Sequence, residues 1–374
     1  MKLWNKINFA GFCTLFFANG VYAGGCGDID QYVKNLMLQQ KITGMAIAIV
    51  APQKVNYCNY GYANKNKQIK ITEKSIFEIA SLTKTFTALL AGIAVSTNTL
   101  DLDAPITRYL PELITNKSYT RISSKELLTH VSGLPLGFDK DFTESELIHS
   151  AINMKFTVAP SHYYQYSNPG VTFSGIALTR IYNMSYQALL DKLILSPLGM
   201  RYTSINVAPQ YRDLTVTGYD KHGKAVNFIN IGVEDPAGGL KSNTYDLAKY
   251  LQLQLNPSPS GFTQALAIVH KNYYCLYEDG TYQQLAWEYY PPTDLFTKFQ
   301  PDLNNRNITL PHTLPVNCQT TENGFIQKTG NFPGTTSYMA YLPNKKIGVV
   351  ILANAALKPQ VVDLGRYVLR KQAS

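Results

Sequence analysis

The chain has 374 residues and a mass of 41.7 kDa, with 34 Lys plus Arg against 25 Asp plus Glu, a formal charge of +9. Hydrophobic residues make up 45% and charged residues 16%, which excludes a disordered or low-complexity chain. The length admits one large domain or two of modest size, with a core big enough to make disulfides optional.

Residues 1–23 read as a secretory signal. Lys2 and Lys6 give a basic start, Phe9 to Val21 is apolar, and Val21-Tyr22-Ala23 offers a small-x-small cleavage site. An uncleaved anchor fits less well, because the apolar run is short for a span and holds Asn19 and Gly20. Lipidation at Cys26 is a third option, but the Leu usual three residues before such a Cys is missing. Cleavage after Ala23 leaves 351 residues and takes the charge to about +7. The remaining Lys and Arg are scattered, and the densest spot, Lys65 to Lys70, reads as a solvated hairpin, so nucleic acid is not an expected partner. Four cysteines remain, Cys26, Cys58, Cys275 and Cys318. Sequence order favours Cys26–Cys58 with Cys275–Cys318 among three pairings, free thiols being the alternative.

Asp28 to Gln40 has helical spacing, with Ile29, Val33, Leu36 and Met37 on one face. Gly44 to Val50 reads as a buried strand, Ala51 to Lys54 as a turn and Val55 to Tyr60 as the returning strand. The far end repeats this design: strand Thr336–Leu342, turn Pro343–Lys346, apolar strand Ile347–Ala353, then a closing helix Pro359–Lys371. Between them helical patterns dominate: Leu82–Ile93, Ser124–His130, Ser145–Ile152, Val171–Tyr182, Tyr186–Ile194 and Thr244–Leu255. Residues 289–323, rich in Pro, Asn and Thr, read as loop. The expected fold is α/β (α+β): an antiparallel sheet built from N- and C-terminal strands, flanked by helices, with an inserted mainly helical lobe. The α/β lobe takes in about 24–80 and 270–374, the helical lobe about 81–269, as one catalytic domain.

Three short patterns stand at the seams. Ser81 opens a helix and Lys84, three residues on, shares its face, so an amine can take the proton of the serine hydroxyl. This is the chain's one S-x-x-K. Tyr166-Ser167-Asn168, between Pro160 and Pro169, is a turn offering a phenol as proton carrier and an amide. Tyr57-x-Asn59 and Tyr62-x-Asn64 fit the same spacing but lie on the first hairpin, before the serine, where they suit surface sheet positions. Lys328-Thr329-Gly330 precedes the last hairpin: a strand at the lip of a cleft can set Lys328 and Thr329 against a carboxylate, and Gly330 leaves room for substrate. The backbone N–H groups of Asn331 and Ser81 can then form an oxyanion hole. An exposed basic edge strand is the plainer origin of that pattern.

The three patterns in this order, separated by 85 and 162 residues, resemble those of the serine β-lactamases and penicillin-recognising peptidases, and the Y-x-N form and spacings those of class C β-lactamases. The resemblance runs over the whole mature chain, through Gly44-Met-Ala-Ile-Ala, Gly61-Tyr-Ala, Gly133-Leu-Pro-Leu136, Gly239-Leu-Lys-Ser242, Gln284-Leu-Ala-Trp-Glu288 and Ser337-Tyr338 through Leu352-Ala-Asn354. It implies an acyl-enzyme on Ser81, a general-base role shared by Lys84 and Tyr166, a substrate side-chain amide on Asn168 and a substrate carboxylate on Lys328 and Thr329. It also implies a monomer acting in the periplasm on a small-molecule β-lactam, with no metal or cofactor and no stable membrane span.

Three departures bear on substrate range. The family usually has glutamine after Gly133-Leu-Pro-Leu136, where this chain has Gly137-Phe138. It often has Ala-Tyr-Gly where this chain has Ala237-Gly238-Gly239, losing an aromatic wall. Small residues usually follow Lys-Thr-Gly, but here Asn331-Phe332-Pro333 does. The nearest rivals are a D-alanyl-D-alanine carboxypeptidase or an esterase of the same superfamily; a non-catalytic exported penicillin- or peptidoglycan-binding protein is the rival of another class. The six histidines show no metal-binding spacing, and His162 is expected to lie nearest the site.

Overall fold

The computed structural model describes residues 26–137, 143–156, 158–257, 261–297, 312–319, 321–356 and 358–373. The expected signal, Phe138 and residues 298–311 of the expected loop lie outside the described residues.

The chain starts with helix α1 (Gly27–Gln40), which buries Ile29, Val33 and Leu36 and ends at Lys41 in the left-handed region, φ 54°. Strands β1 (Gly44–Ala51) and β2 (Lys54–Asn64) form the first hairpin, and β3 (Ile69–Lys70) flanks it. At the far end β7 (Phe325–Phe332), β8 (Thr335–Leu342) and β9 (Ile347–Ala353) run antiparallel, closed by a helix at Lys358–Ala373. The strands β4 (Tyr274–Tyr277), β5 (Thr281–Gln283) and β6 (Glu288–Tyr290) extend the same sheet. The order is β3-β2-β1-β9-β8-β7-β6-β5-β4. The N- and C-terminal hairpins meet where β1 pairs with β9, Ile47 opposite Ile351, as the sequence predicts.

Both faces of the central strands are buried, which is why β1 and β9 read as apolar runs rather than alternations. One face, with Ile47, Ile49, Val349 and Ile351, packs on α1 and on Val361, Val362 and Leu369 of the C-terminal helix. The other, with Ala46, Ala48, Val350 and Leu352, shares one core with the inserted helices α2 (Thr83–Ser96), α3 (Asn168–Tyr182) and α4 (Thr244–Leu255), the last lying directly against β1 and β9. Phe86 of α2 stacks on Tyr250 of α4 with ring centroids 4.1 Å apart, and the Tyr250 hydroxyl donates to the Thr85 carbonyl at 3.0 Å. Each such fully buried large side chain contributes about 1.5–3 kcal/mol.

Two expectations change. Within 289–323, Tyr289 and Tyr290 belong to β6, Pro292–Leu295 is a helical turn, and His312–Thr313 pairs with Tyr163–Tyr164. These pieces are two to four residues long, too short for a period to show in the sequence. The helix expected over Tyr186–Ile194 is α-helical only to Leu190, and a π-helical turn occupies Asp191–Leu195. Both favoured disulfides are formed: Cys26–Cys58, Cα atoms 5.9 Å apart, and Cys275–Cys318, 6.3 Å apart. Among the described residues no helix is long and apolar enough to cross a membrane.

Candidate active site

Ser81 lies in a 3₁₀ turn, Ala80–Leu82, that runs directly into α2. The turn is fixed on both sides. Ile79 donates its N–H to the Leu240 carbonyl at 3.0 Å, and the Ser337 hydroxyl of β8 donates to the Ile79 carbonyl at 2.6 Å. Gly330 of β7 presses against it: a Cβ there would collide with the Ile79 carbonyl oxygen and come within 2.9 Å of Ser81 N. Ala80 is held at φ 45°, a left-handed conformation costing about 1–2 kcal/mol for a non-glycine residue. Such strain persists where the surroundings over-determine the backbone.

Lys84 is fully buried, and its Nζ donates to Ser81 Oγ at 3.0 Å and to the Ala237 carbonyl at 2.6 Å. Burial lowers its pKa; Tyr166 opposes that, and Lys328 adds to it. Tyr166, buried just ahead of α3, has Lys328 Nζ 4.8 Å and Lys84 Nζ 5.1 Å from its ring centroid. Burial pushes the phenol up, but the charges of Lys328 and then Lys84, with hydrogen bonding from Ser81 and Lys84, outweigh it and bring the pKa down to about 8. Lys328, 2% exposed, pairs with Glu288 of β6 at 3.3 Å. Burial opposes its charge, yet Tyr166 and Glu288 hold its pKa above the usual lysine value.

Ser81, Lys84, Tyr166, Lys328 and Gly330 are thus brought together. Asn168 is half-buried at the first position of α3, with Ser167 capping the helix through a 3.0 Å bond from the Gly170 N–H. Thr329 is half-buried beside Lys328 on β7, opposite Tyr338. Asn331 is exposed, and its Oδ1 accepts from the Thr336 hydroxyl at 2.8 Å.

A sequence profile of the β-lactamase family matches residues 29–374. A β-lactamase of Pseudomonas fluorescens is 35% identical, covering 87% of this chain and 92% of its own length. One of Providencia stuartii is 31% identical, with coverage of 92% and 91%. A crystal structure of a class C β-lactamase superposes with a TM-score of 0.83 at 30% identity, over 92% of this chain and 97% of the other. The chain belongs to the β-lactamase family, class C.

For a family member, the neighbours of these residues hold the surprises. Nothing in the sequence around His130 marks it, and the expected nearest histidine, His162, is exposed, its ring bonded to the Pro160 carbonyl at 2.9 Å. His130 is the histidine beside the cluster: fully buried, its ring centroid 4.1 Å from that of Tyr166, tilted by 31°. Its carbonyl accepts from Gln165 N–H at 2.7 Å and its Nδ1 from Ser167 N–H at 3.2 Å, so it grips the backbone on both sides of Tyr166. Burial, then the Lys328 and Lys84 charges, push its pKa well below the ordinary range. A low pKa favours the neutral ring, and a neutral ring that accepts at Nδ1 carries its proton on Nε2. Glu288 and the Ala237 carbonyl likewise carry no sequence signal of their roles, since long-range packing alone brings them to the two lysines.

Proposed function

We propose that this class C family member opens the β-lactam ring through an acyl-Ser81 ester. The observation that carries the reading is the Tyr166 phenol held beside two buried lysine side chains, next to a serine already bonded to one of them. Those charges poise Tyr166 to reach its anionic form near neutral pH, where it serves as general base with Lys84.

In acylation, Ser81 Oγ bonds to the ring carbonyl carbon while its proton passes to the Tyr166–Lys84 pair. The carbon–nitrogen bond then breaks and the ring nitrogen takes that proton. Deacylation mirrors this: Tyr166 takes a proton from water, water oxygen bonds to the ester carbon, the bond from that carbon to Ser81 Oγ breaks, and Oγ takes the proton back from Tyr166. The Ser81 and Asn331 N–H groups stabilise the carbonyl oxygen as it becomes negative. Lys328, with Thr329 next to it, holds the substrate carboxylate, Gly330 leaves room for the substrate, and Asn168 binds the side-chain amide. Export to the periplasm with cleavage near Ala23, and action as a monomer, complete the proposal; the two disulfides support an oxidising compartment.

Nitrocefin turnover by the purified chain, beside Ser81→Ala, tests this. The unmodified chain should turn over, and the variant should lose at least about a thousandfold. Undiminished turnover by the variant would overturn the mechanism.

A further inference from the structure

Gly238 follows Ala237, whose carbonyl takes the Lys84 ammonium, so position 238 borders the Ser81 site without a side chain. The space a Cβ there would enter is nevertheless occupied. Ile231 Cδ1 stands 3.2 Å from that point, Phe332 Cζ 3.5 Å, and the Ala80 carbonyl carbon 3.9 Å. Two apolar side chains from separate segments converge beside the turn that carries the nucleophile.

Strand alternation places Phe332 on the face of β7 that also carries Lys328 and Gly330, at intervals of roughly 7 Å. Along that face run an ammonium, a bare backbone against Ser81 N, and an aromatic ring. Phe332 and Ile231 are both half-buried, and neither belongs to the packed apolar cores of the described residues. A half-buried ring outside a core and beside a reacting group leaves part of its surface accessible to a ligand. The backbone near each is also anchored. Tyr219 N–H donates at 3.2 Å to the carbonyl of Gly334, in the turn after Phe332. Ile229 N–H donates at 2.5 Å to Glu78, anchoring the segment that carries Ile231. A wall built beforehand spares a ligand the cost of ordering it.

We infer that Phe332 and Ile231 form the wall that receives the acyl substituent of the β-lactam, selecting substrates whose side chain is aromatic. This rests on the β-lactam-opening reading above. The substrate's own chemistry sets the direction. The ring carbonyl carbon is bonded on one side to the nitrogen, whose fused ring bears the carboxylate, and on the other to the carbon bearing the acylamino group. With the carbonyl at Ser81 and the carboxylate at Lys328, the acylamino group extends past Gly330 toward Phe332.

The test compares kcat/KM for benzylpenicillin with that for the penicillin carrying methyl in place of benzyl, two substrates that differ by one phenyl ring. The unmodified chain should favour the benzyl compound, and Phe332→Ala should reduce that preference about tenfold. Ile231→Ala, from the other segment, should move the ratio in the same direction and provides a second reading should Phe332→Ala fold poorly. A general structural role would lower both rates together and leave their ratio in place. Ring opening by the unmodified chain with an unshifted ratio in the variants overturns the wall alone. No ring opening of either penicillin by the unmodified chain overturns this inference together with the reading on which it rests.

Discussion

A serine hydroxyl is a weak nucleophile, and the residues around Ser81 answer that with charge. Lys328 is the stronger of the two positive neighbours that bring Tyr166 down to about 8. A positive neighbour favours the phenolate, so Lys328→Ala should raise that pKa and move the acid limb of the kcat profile to higher pH. A limb that stays in place when kcat is followed across pH would show that Tyr166 is not the titrating base. On the proposed mechanism, His130 acts one step back, through its contact with Tyr166. A displacement of about 1 Å at a catalytic group can cost about a hundredfold, so His130→Ala should lower kcat ten- to a hundredfold with little effect on KM. His130→Asn, whose amide oxygen can accept the Ser167 N–H, should recover part of the loss. Equal losses in both variants would reduce His130 to a packing residue. The Ser81–Lys84 relation is legible in the sequence because it is local: three residues apart on one helical turn. His130 is not, because a lone histidine after a short helix looks the same whether it faces solvent or a tyrosine 36 residues on.

At the scale of elements, the site depends on how closely β7 approaches the turn before α2. Gly330 permits the contact, and the obstacle a methyl would meet there is the Ile79 carbonyl, a backbone atom that cannot swing aside. Gly330→Ala should therefore push β7 away from Ser81 and reduce kcat/KM for nitrocefin at least about tenfold, with the far-ultraviolet circular dichroism unchanged. Full activity in that variant would mean that the approach is not required. The central strands are readable from sequence because apolar runs of seven or eight residues bounded by turns suit a buried strand better than a helix. The strands β4, β5 and β6 are not, being three or four residues each. Their brevity hides Glu288, which lies across from Gln327 in the β6–β7 ladder and so meets Lys328.

At the scale of the whole molecule, two covalent links bind peripheral pieces to the sheet. Cys26–Cys58 ties the start of α1 to β2, and Cys275–Cys318 ties β4 to a distant segment, across separations of 32 and 43 residues. Loops of that size are each stabilised by up to about 4 kcal/mol on chain-entropy grounds. Alkylation of the unfolded mature chain without reductant should add no mass, whereas labelling at four thiols would exclude both links. The order of patterns along the chain announces the family because Ser81, Tyr166 and Lys328 come from three distant stretches that this fold brings together. Its selectivity is less legible: the sequence shows that Gly238 lacks a side chain, but only packing shows Phe332 and Ile231 in the space beside it.

The most direct measurement of the central claim is the intact mass of the purified chain quenched within milliseconds of mixing with benzylpenicillin, followed by peptide mapping. The account predicts a transient gain of one whole penicillin, located on the peptide that holds Ser81 and absent from Ser81→Ala. Turnover of penicillin with an adduct on another residue, or an adduct of the same mass on the Ser81→Ala variant, would contradict it.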